Sequence, residues 1–261
     1  MVTISLSNQK GGVGKTTTAF NLGVGLVNSG YRVLLVDCDP QCNLTSSMQL
    51  PAEKKTKGTL LDVLREDATI KECLYTPKIN LDILTGSKQL NKADKEFSDL
   101  ADVYLLNDAL VELNDEYDFC LIDTPPNIGV LTTNALIASE FVLVPMTPDY
   151  FSLQGVVELK HHIDSVKRVG CEVELLGLLL GRFDHTNLSK DAEEAFAKEA
   201  EKMGTTIFET KIRQSVTVRQ SQASKQDVFA FAPTSQVAND FNDLVKEFIR
   251  KVESYNGKTE N

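Results

Sequence analysis

Ser5-Leu6-Ser7-Asn8-Gln9-Lys10-Gly11-Gly12-Val13-Gly14-Lys15-Thr16-Thr17-Thr18-Ala19-Phe20-Asn21-Leu22 is the stretch on which the fold turns. An apolar strand pattern ends at its start, and a helical pattern opens at Thr17. The loop between them carries three glycines in four positions, Gly11, Gly12 and Gly14. Glycine lets backbone N–H groups turn inward and approach an anion closely, and the helix start adds the positive end of its dipole. Lys15 is spaced to reach the outer phosphates of a nucleotide and Thr16 to offer its hydroxyl to magnesium. Lys10, Gly11, Gly12, Val13, Gly14, Lys15, Thr16 and Thr17 are therefore the predicted phosphate-binding loop. The general motif Gly-x-x-x-x-Gly-Lys-Ser/Thr has Gln9 at its first position here. A dinucleotide-binding turn is the chemical rival. Gly12 and Gly14 begin such a fingerprint, but Thr17 stands where its third glycine belongs.

Two other strand patterns end in acid. Phe119-Cys120-Leu121-Ile122-Asp123-Thr124-Pro125-Pro126 places Asp123 where a carboxylate beside the phosphate loop binds Mg²⁺ directly or through its waters. The proline pair stiffens a segment able to sense a terminal phosphate, with Gly129 as a hinge. Val33-Leu34-Leu35-Val36-Asp37-Cys38-Asp39-Pro40-Gln41 sets two carboxylates two positions apart. Near a phosphate, one of them can orient or deprotonate water. Taken alone, either aspartate also suits a turn or a helix cap.

The wider pattern fits these motifs. Residues 2–7, 32–37, 79–84, 118–123, 141–145, 173–180 and 206–212 read as strands, several of them rich in Val, Leu and Ile without polar alternation. Such strands are buried on both faces. Residues 17–29, 90–115, 153–169 and 189–203 show the helical period, and a last helix spans 237–252. This alternation predicts an α/β class: a doubly wound, mostly parallel sheet with helices on both faces. The expected organisation is one domain over residues 1–254 and a polar C-terminal tail over 255–261.

Composition limits the alternatives. With 42% hydrophobic and 25% charged residues the chain is globular. No apolar run is long enough for a bilayer, and the start lacks a signal-peptide pattern, so a soluble, cytoplasmic protein is expected. The cysteines, Cys38, Cys42, Cys73, Cys120 and Cys171, have no zinc or disulfide spacing. A formal charge of −10 argues against a protein that coats nucleic acid over its whole surface, and leaves room for a local basic patch.

Together, Lys10-Gly-Gly-Val-Gly-Lys15-Thr-Thr, Asp37-Cys-Asp39-Pro-Gln and Leu121-Ile-Asp123-Thr-Pro-Pro resemble the ParA/MinD family of deviant Walker ATPases, over nearly the whole chain. The resemblance implies a P-loop NTPase with ATP and Mg²⁺ as ligands and slow ATP hydrolysis. It makes Lys10 the signature lysine that crosses a dimer interface to the partner's nucleotide, and Lys15 the phosphate lysine within the subunit. Thr16 would bind Mg²⁺, Asp123 would hold it through the second shell, and Asp37 would support that region. Asp39 would position the hydrolytic water. Arg182 is the candidate for adenine by family position.

Pro145-Met-Thr-Pro148-Asp149 with Leu153-Gln-Gly155 resembles the ParA branch. That branch implies an ATP-dependent homodimer, non-specific DNA binding, and a ParB-like, centromere-binding partner that stimulates hydrolysis. The candidate DNA contacts are Arg213, Arg219 and Lys225, in a stretch with no acid before Asp227. The stretch lacks the glycine the family carries near Lys225. The ending is too polar to insert as the membrane helix of the MinD branch does, and the helix before it is expected to pack on the core. The residues after Asp123 lack the cysteine of the nitrogenase iron-protein branch. The first strand follows directly on the start, without the N-terminal helix-turn-helix of larger ParA proteins. A positioning factor for non-DNA cargo and an ATP-dependent ligase of related fold are the other readings.

Overall fold

In the computed structural model, which describes residues 1–50, 58–184 and 186–259, eight strands form one sheet. They are β1 (Val2–Leu6), β2 (Val33–Asp37), β3 (Leu74–Lys78), β4 (Leu81–Leu84), β5 (Phe119–Asp123), β6 (Phe141–Met146), β7 (Glu174–Phe183) and β8 (Ile212–Arg213). Their order is β3-β4-β2-β5-β1-β6-β7-β8. Every pairing is parallel except β3 with β4. The helices of eight or more residues are α1 (Lys15–Asn28), α2 (Val130–Ile137), α3 (Tyr150–Arg168), α4 (Asn187–Lys202), α5 (Val216–Ala223) and α6 (Gln236–Thr259).

Alternate residues of the central strands enter clusters on opposite faces, which is why these strands are apolar throughout. Leu35 and Leu121 pack with Leu22, Leu26, Phe241 and Phe248 of α1 and α6. Leu34, Val36, Cys120 and Ile122 pack with Leu106 and Leu131 on the other side. A third cluster joins Val142 and Val144 to Val156, Leu159 and Phe196. Burial on both faces is the signature of a parallel sheet covered by helices.

Four local readings change. Residues 90–115 are not one helix: a 3-10 turn at Lys88–Lys92, short helices at Ala93–Glu96 and Leu105–Val111, and a second 3-10 turn at Leu100–Tyr104 replace it. The break falls at Asp99, whose N–H is accepted by the Asp102 carboxylate at 2.9 Å, a local bond that competes with helix continuation. Strand β3 was not expected; Pro77 and alternating exposure suit an edge position. Residues 206–212 supply only a bridge at Ile207 and, in Ile212, the first of the two residues of β8, because Glu247 of α6 takes the N–H groups of Glu209 and Thr210, both at 2.8 Å. Helix α6 also runs beyond residue 254, and Tyr255 packs its ring 5.2 Å from that of Phe141.

Candidate nucleotide site

The topology decides where the site lies. The chain leaves β1 for β2 on one side of the sheet and later fills the other side with β6, β7 and β8. Ligands of open α/β sheets bind outside the strand ends at such a switch point. Strand β5 is inserted between β1 and β2, in a register that aligns Leu6 with Asp123 and Asp123 with Asp37. Both aspartates are fully buried at the carboxyl edge of the sheet.

Residues 7–14 form the loop after β1. Gly12 (φ 74°) and Gly14 (φ 100°) are left-handed, a conformation in which a side chain would be strained. Gly14 then caps α1. Asn8, which the motif did not single out, fixes the start of the loop. Its buried side chain donates to the Pro145 carbonyl at 2.8 Å and accepts from the Lys10 N–H at 2.9 Å. The Lys15 ammonium is buried and donates to the Asn8 carbonyl at 3.0 Å. Burial pulls its pKa down, against the opposing pull of the Asp123 and Asp39 carboxylates.

The Thr16 hydroxyl donates to Oδ2 of Asp123 at 2.6 Å, while Oδ1 of Asp123 is buried and has no hydrogen-bond partner. Burial and the neighbouring Asp37 hold the Asp123 carboxyl well above the ordinary range. A bare, buried carboxylate oxygen beside a threonine hydroxyl fits a hard divalent cation, whose charge would compensate this electrostatic cost. No cluster of three or more Asp, Glu, His or Cys occurs among the described residues. A magnesium site completed by phosphates and water needs none.

Asp37 has a more structural place than expected. Its Oδ1 accepts from the Asp39 N–H at 3.2 Å, and its Oδ2 accepts from the N–H and hydroxyl of Thr45 at 2.8 and 2.6 Å. The loop carrying Asp39 is thereby wrapped around Asp37. Asp39 itself is held by the Gln41 N–H at 2.8 Å and lines the cleft over the phosphate loop.

That cleft encloses about 590 Å³ and is lined by Gly11, Lys15, Thr16, Asp39, Arg182 and Lys225 among others. A second cavity of about 370 Å³ shares Gly14, Thr17, Arg182 and Gln222 with it and extends to Ser215, Val218 and Arg219. The cleft over the phosphate loop thus opens into a second chamber. Arg182, left-handed at φ 51°, stands at their junction. Lys10 points elsewhere: its ammonium lies 2.6 Å from both oxygens of Asp149, which also caps α3 through the Ser152 N–H. Arg213 is engaged by Asp240 through two bonds of 2.7 Å and by Gln236. Arg219 and Lys225 have no ion-pair partner among the described residues.

Residues 1–174 match the AAA_31 family, an AAA domain. A chromosome partitioning protein ParA of Myxococcus xanthus (strain DK1622) is 33% identical over 252 residues, covering 95% of this chain and 88% of that one. The chain belongs to the ParA family of ATPases. The sporulation initiation inhibitor protein Soj of Bacillus subtilis (strain 168) is 34% identical and covers 94% of this chain and 96% of its own. Among solved structures, cobyrinic acid a,c-diamide synthase from Mycobacterium smegmatis, with bound ATP analog and magnesium, superposes with a TM-score of 0.83 at 28% identity. It covers 97% of this chain and 96% of that one. The ParA family membership carries the fold, the P-loop and a nucleotide-hydrolysing role. No described helix is long and apolar enough to cross a membrane.

Proposed function

We propose that this ParA-family chain binds Mg·ATP, dimerises face to face on doing so, and in that state holds DNA without sequence preference in plasmid or chromosome partition. A ParB-like partner would stimulate its slow hydrolysis and release it. One observation carries the nucleotide half of the reading. Asp123, with one bare oxygen, meets the Thr16 hydroxyl, the Lys15 ammonium and the glycine turn at one end of the sheet.

Each residue has a defined task in this reading. The amides of residues 11–16 and the Lys15 ammonium receive the phosphates. Thr16 and Asp123 hold the cation, which neutralises phosphate charge. Asp39, fixed by Gln41, orients the attacking water. Lys10 exchanges Asp149 for the nucleotide of the partner protomer. The chamber beside Arg182 takes the base.

Arg219 and Lys225 support the DNA half. They are cations without carboxylate partners among the described residues of an otherwise acidic protein, and pairing two copies would double a weak patch. The test is binding of non-specific duplex DNA with ATP, ADP and no nucleotide, at two salt concentrations. ATP-dependent, salt-sensitive binding supports the reading. Absent or nucleotide-independent binding removes DNA and leaves a cycle that positions other cargo.

A further inference from the structure

The phosphate loop and the cationic segment at 219–225 are far apart in sequence, yet one side-chain contact joins them. Nε2 of Gln222 donates to Oγ1 of Thr17 at 2.7 Å. Thr17 is the second residue after Lys15 and lines both halves of the cleft, as does Gln222. A threonine hydroxyl has one proton to give and two lone pairs to offer. Here a lone pair is taken by Gln222, and the proton has no acceptor among the described residues. It is free to turn into the cleft.

Two neighbouring contacts hold the same pieces together. Asn21, one turn further along α1, donates to the Thr17 carbonyl and accepts from the Val228 N–H, both at 2.8 Å. Gln49, after the Asp39 loop, donates to the carbonyls of Ser224 and Lys225 at 3.1 and 2.8 Å. Neither Asn21 nor Gln49 lines the cleft or the chamber beside it. Only the Gln222–Thr17 contact ends on a group that itself faces the ligand.

We infer that Gln222 and Thr17 form a hydroxyl relay that reports an occupied phosphate loop to α5, the helix carrying Arg219 and leading to Lys225. An anionic oxygen of the nucleotide accepts the Thr17 O–H, and the hydroxyl oxygen becomes a better acceptor for the Gln222 N–H. Helix α5 is then held more firmly against α1. By reciprocity, a polyanion that favours this placement of α5 raises the affinity for nucleotide. The identity of that polyanion rests on the partition reading; the relay itself does not.

The experiment is hydrogen exchange of the full chain with and without a magnesium complex of a non-hydrolysable ATP analogue. In the wild type, amides in 216–225 exchange roughly threefold to tenfold more slowly with the analogue, the range one hydrogen bond supplies. Gln222→Ala and Gln222→Glu abolish this slowing while protection of the phosphate loop persists. Thr17→Ala abolishes it as well, and Thr17→Ser, which keeps the hydroxyl, restores it. Unchanged slowing in Gln222→Ala, or none in the wild type, overturns the relay. A second readout is the double-mutant cycle on analogue affinity, in which Gln222→Ala and Thr17→Ala must be non-additive. Additive losses also overturn it. DNA binding by the wild type is followed in parallel. Its absence, with the slowing intact, refutes the partition reading and leaves the relay standing.

Discussion

The ammonium of Lys10 sits 2.6 Å from both carboxylate oxygens of Asp149 within one chain, so the residue assigned to reach a partner's nucleotide begins from a bond at home. In the proposed dimer, breaking that bond would be part of the free energy of dimerisation. Both side chains are about one-third exposed, which keeps the bond in the range of about 1 kcal/mol or less. Asp149→Asn keeps the α3 cap, since Asn caps as well as Asp, and removes the charge that holds Lys10. Each protomer gives up one such bond, so the Mg·ATP-dependent dimer should then form at up to about thirtyfold lower protein concentration by light scattering. An unchanged or weakened dimer would show that Lys10 does not leave Asp149.

Asp39→Ala should bind Mg·ATP and dimerise, with single-turnover hydrolysis slowed by about a hundredfold or more, the contribution of a positioned general base. Wild-type turnover would take Asp39 out of the hydrolytic role.

Gly129 tests the loop between Asp123 and α2. A Cβ there would stand 2.5 Å from Oδ1 of Asp94, the oxygen that accepts the Val130 N–H at 2.7 Å and caps α2 from another segment. Gly129→Ala should push Asp94 away and cost about 0.5–2 kcal/mol in urea unfolding, the worth of a helix cap. Asp94→Ala should cost a similar amount, and the two substitutions together little more than one, since both remove the same bond.

The three candidate DNA cations should separate. Arg219→Ala and Lys225→Ala should leave stability within about 0.5 kcal/mol and each reduce the salt slope of DNA binding by about 1. Arg213→Ala removes the partner of Asp240, which is only 11% exposed in its side chain, and should destabilise by roughly 1–3 kcal/mol with the salt slope unchanged. A slope change in Arg213→Ala would put its guanidinium on DNA.

Burial pushes the Asp37 carboxyl up to about 6 from 3.8, against hydrogen bonds from Thr45 and the Asp39 N–H. The folded protein therefore holds this proton more tightly than the unfolded chain does. Its contribution is full below about pH 4 and is lost as pH rises through about 6, by roughly 3 kcal/mol. Without divalent cation, the stability advantage of wild type over Asp37→Ala should shrink by that amount between about pH 4 and pH 7. An advantage that grows with pH would contradict the assignment.

The motifs were legible because each pairs a strand end with a side chain that backbone geometry then aims. Lys15, Thr16 and Asp39 line one cleft, and Asp123 lies behind it, bonded to the Thr16 hydroxyl. Residues acting across long separations were not legible. Asn8 bonds to Pro145, Asp94 to Val130 and Gln222 to Thr17, and nothing local in the sequence marks these pairs. Arg213 looked like a free cation because its partner, Asp240, lies a whole element away. The 90–115 segment shows the converse. Its apolar spacing fits a helix, while Asp99 and Asp102 satisfy the backbone locally and divide it.

The insertion of β5 between β1 and β2 sets an order on biosynthesis. The phosphate loop and Asp39 leave the ribosome early, but in the fold β1 and β2 share no ladder and are joined only through β5. Until Phe119–Asp123 threads between them, the growing chain owns an anion cradle with no floor. The complete cradle, with Asp123 as its floor, therefore cannot assemble until synthesis has passed into the middle third of the chain.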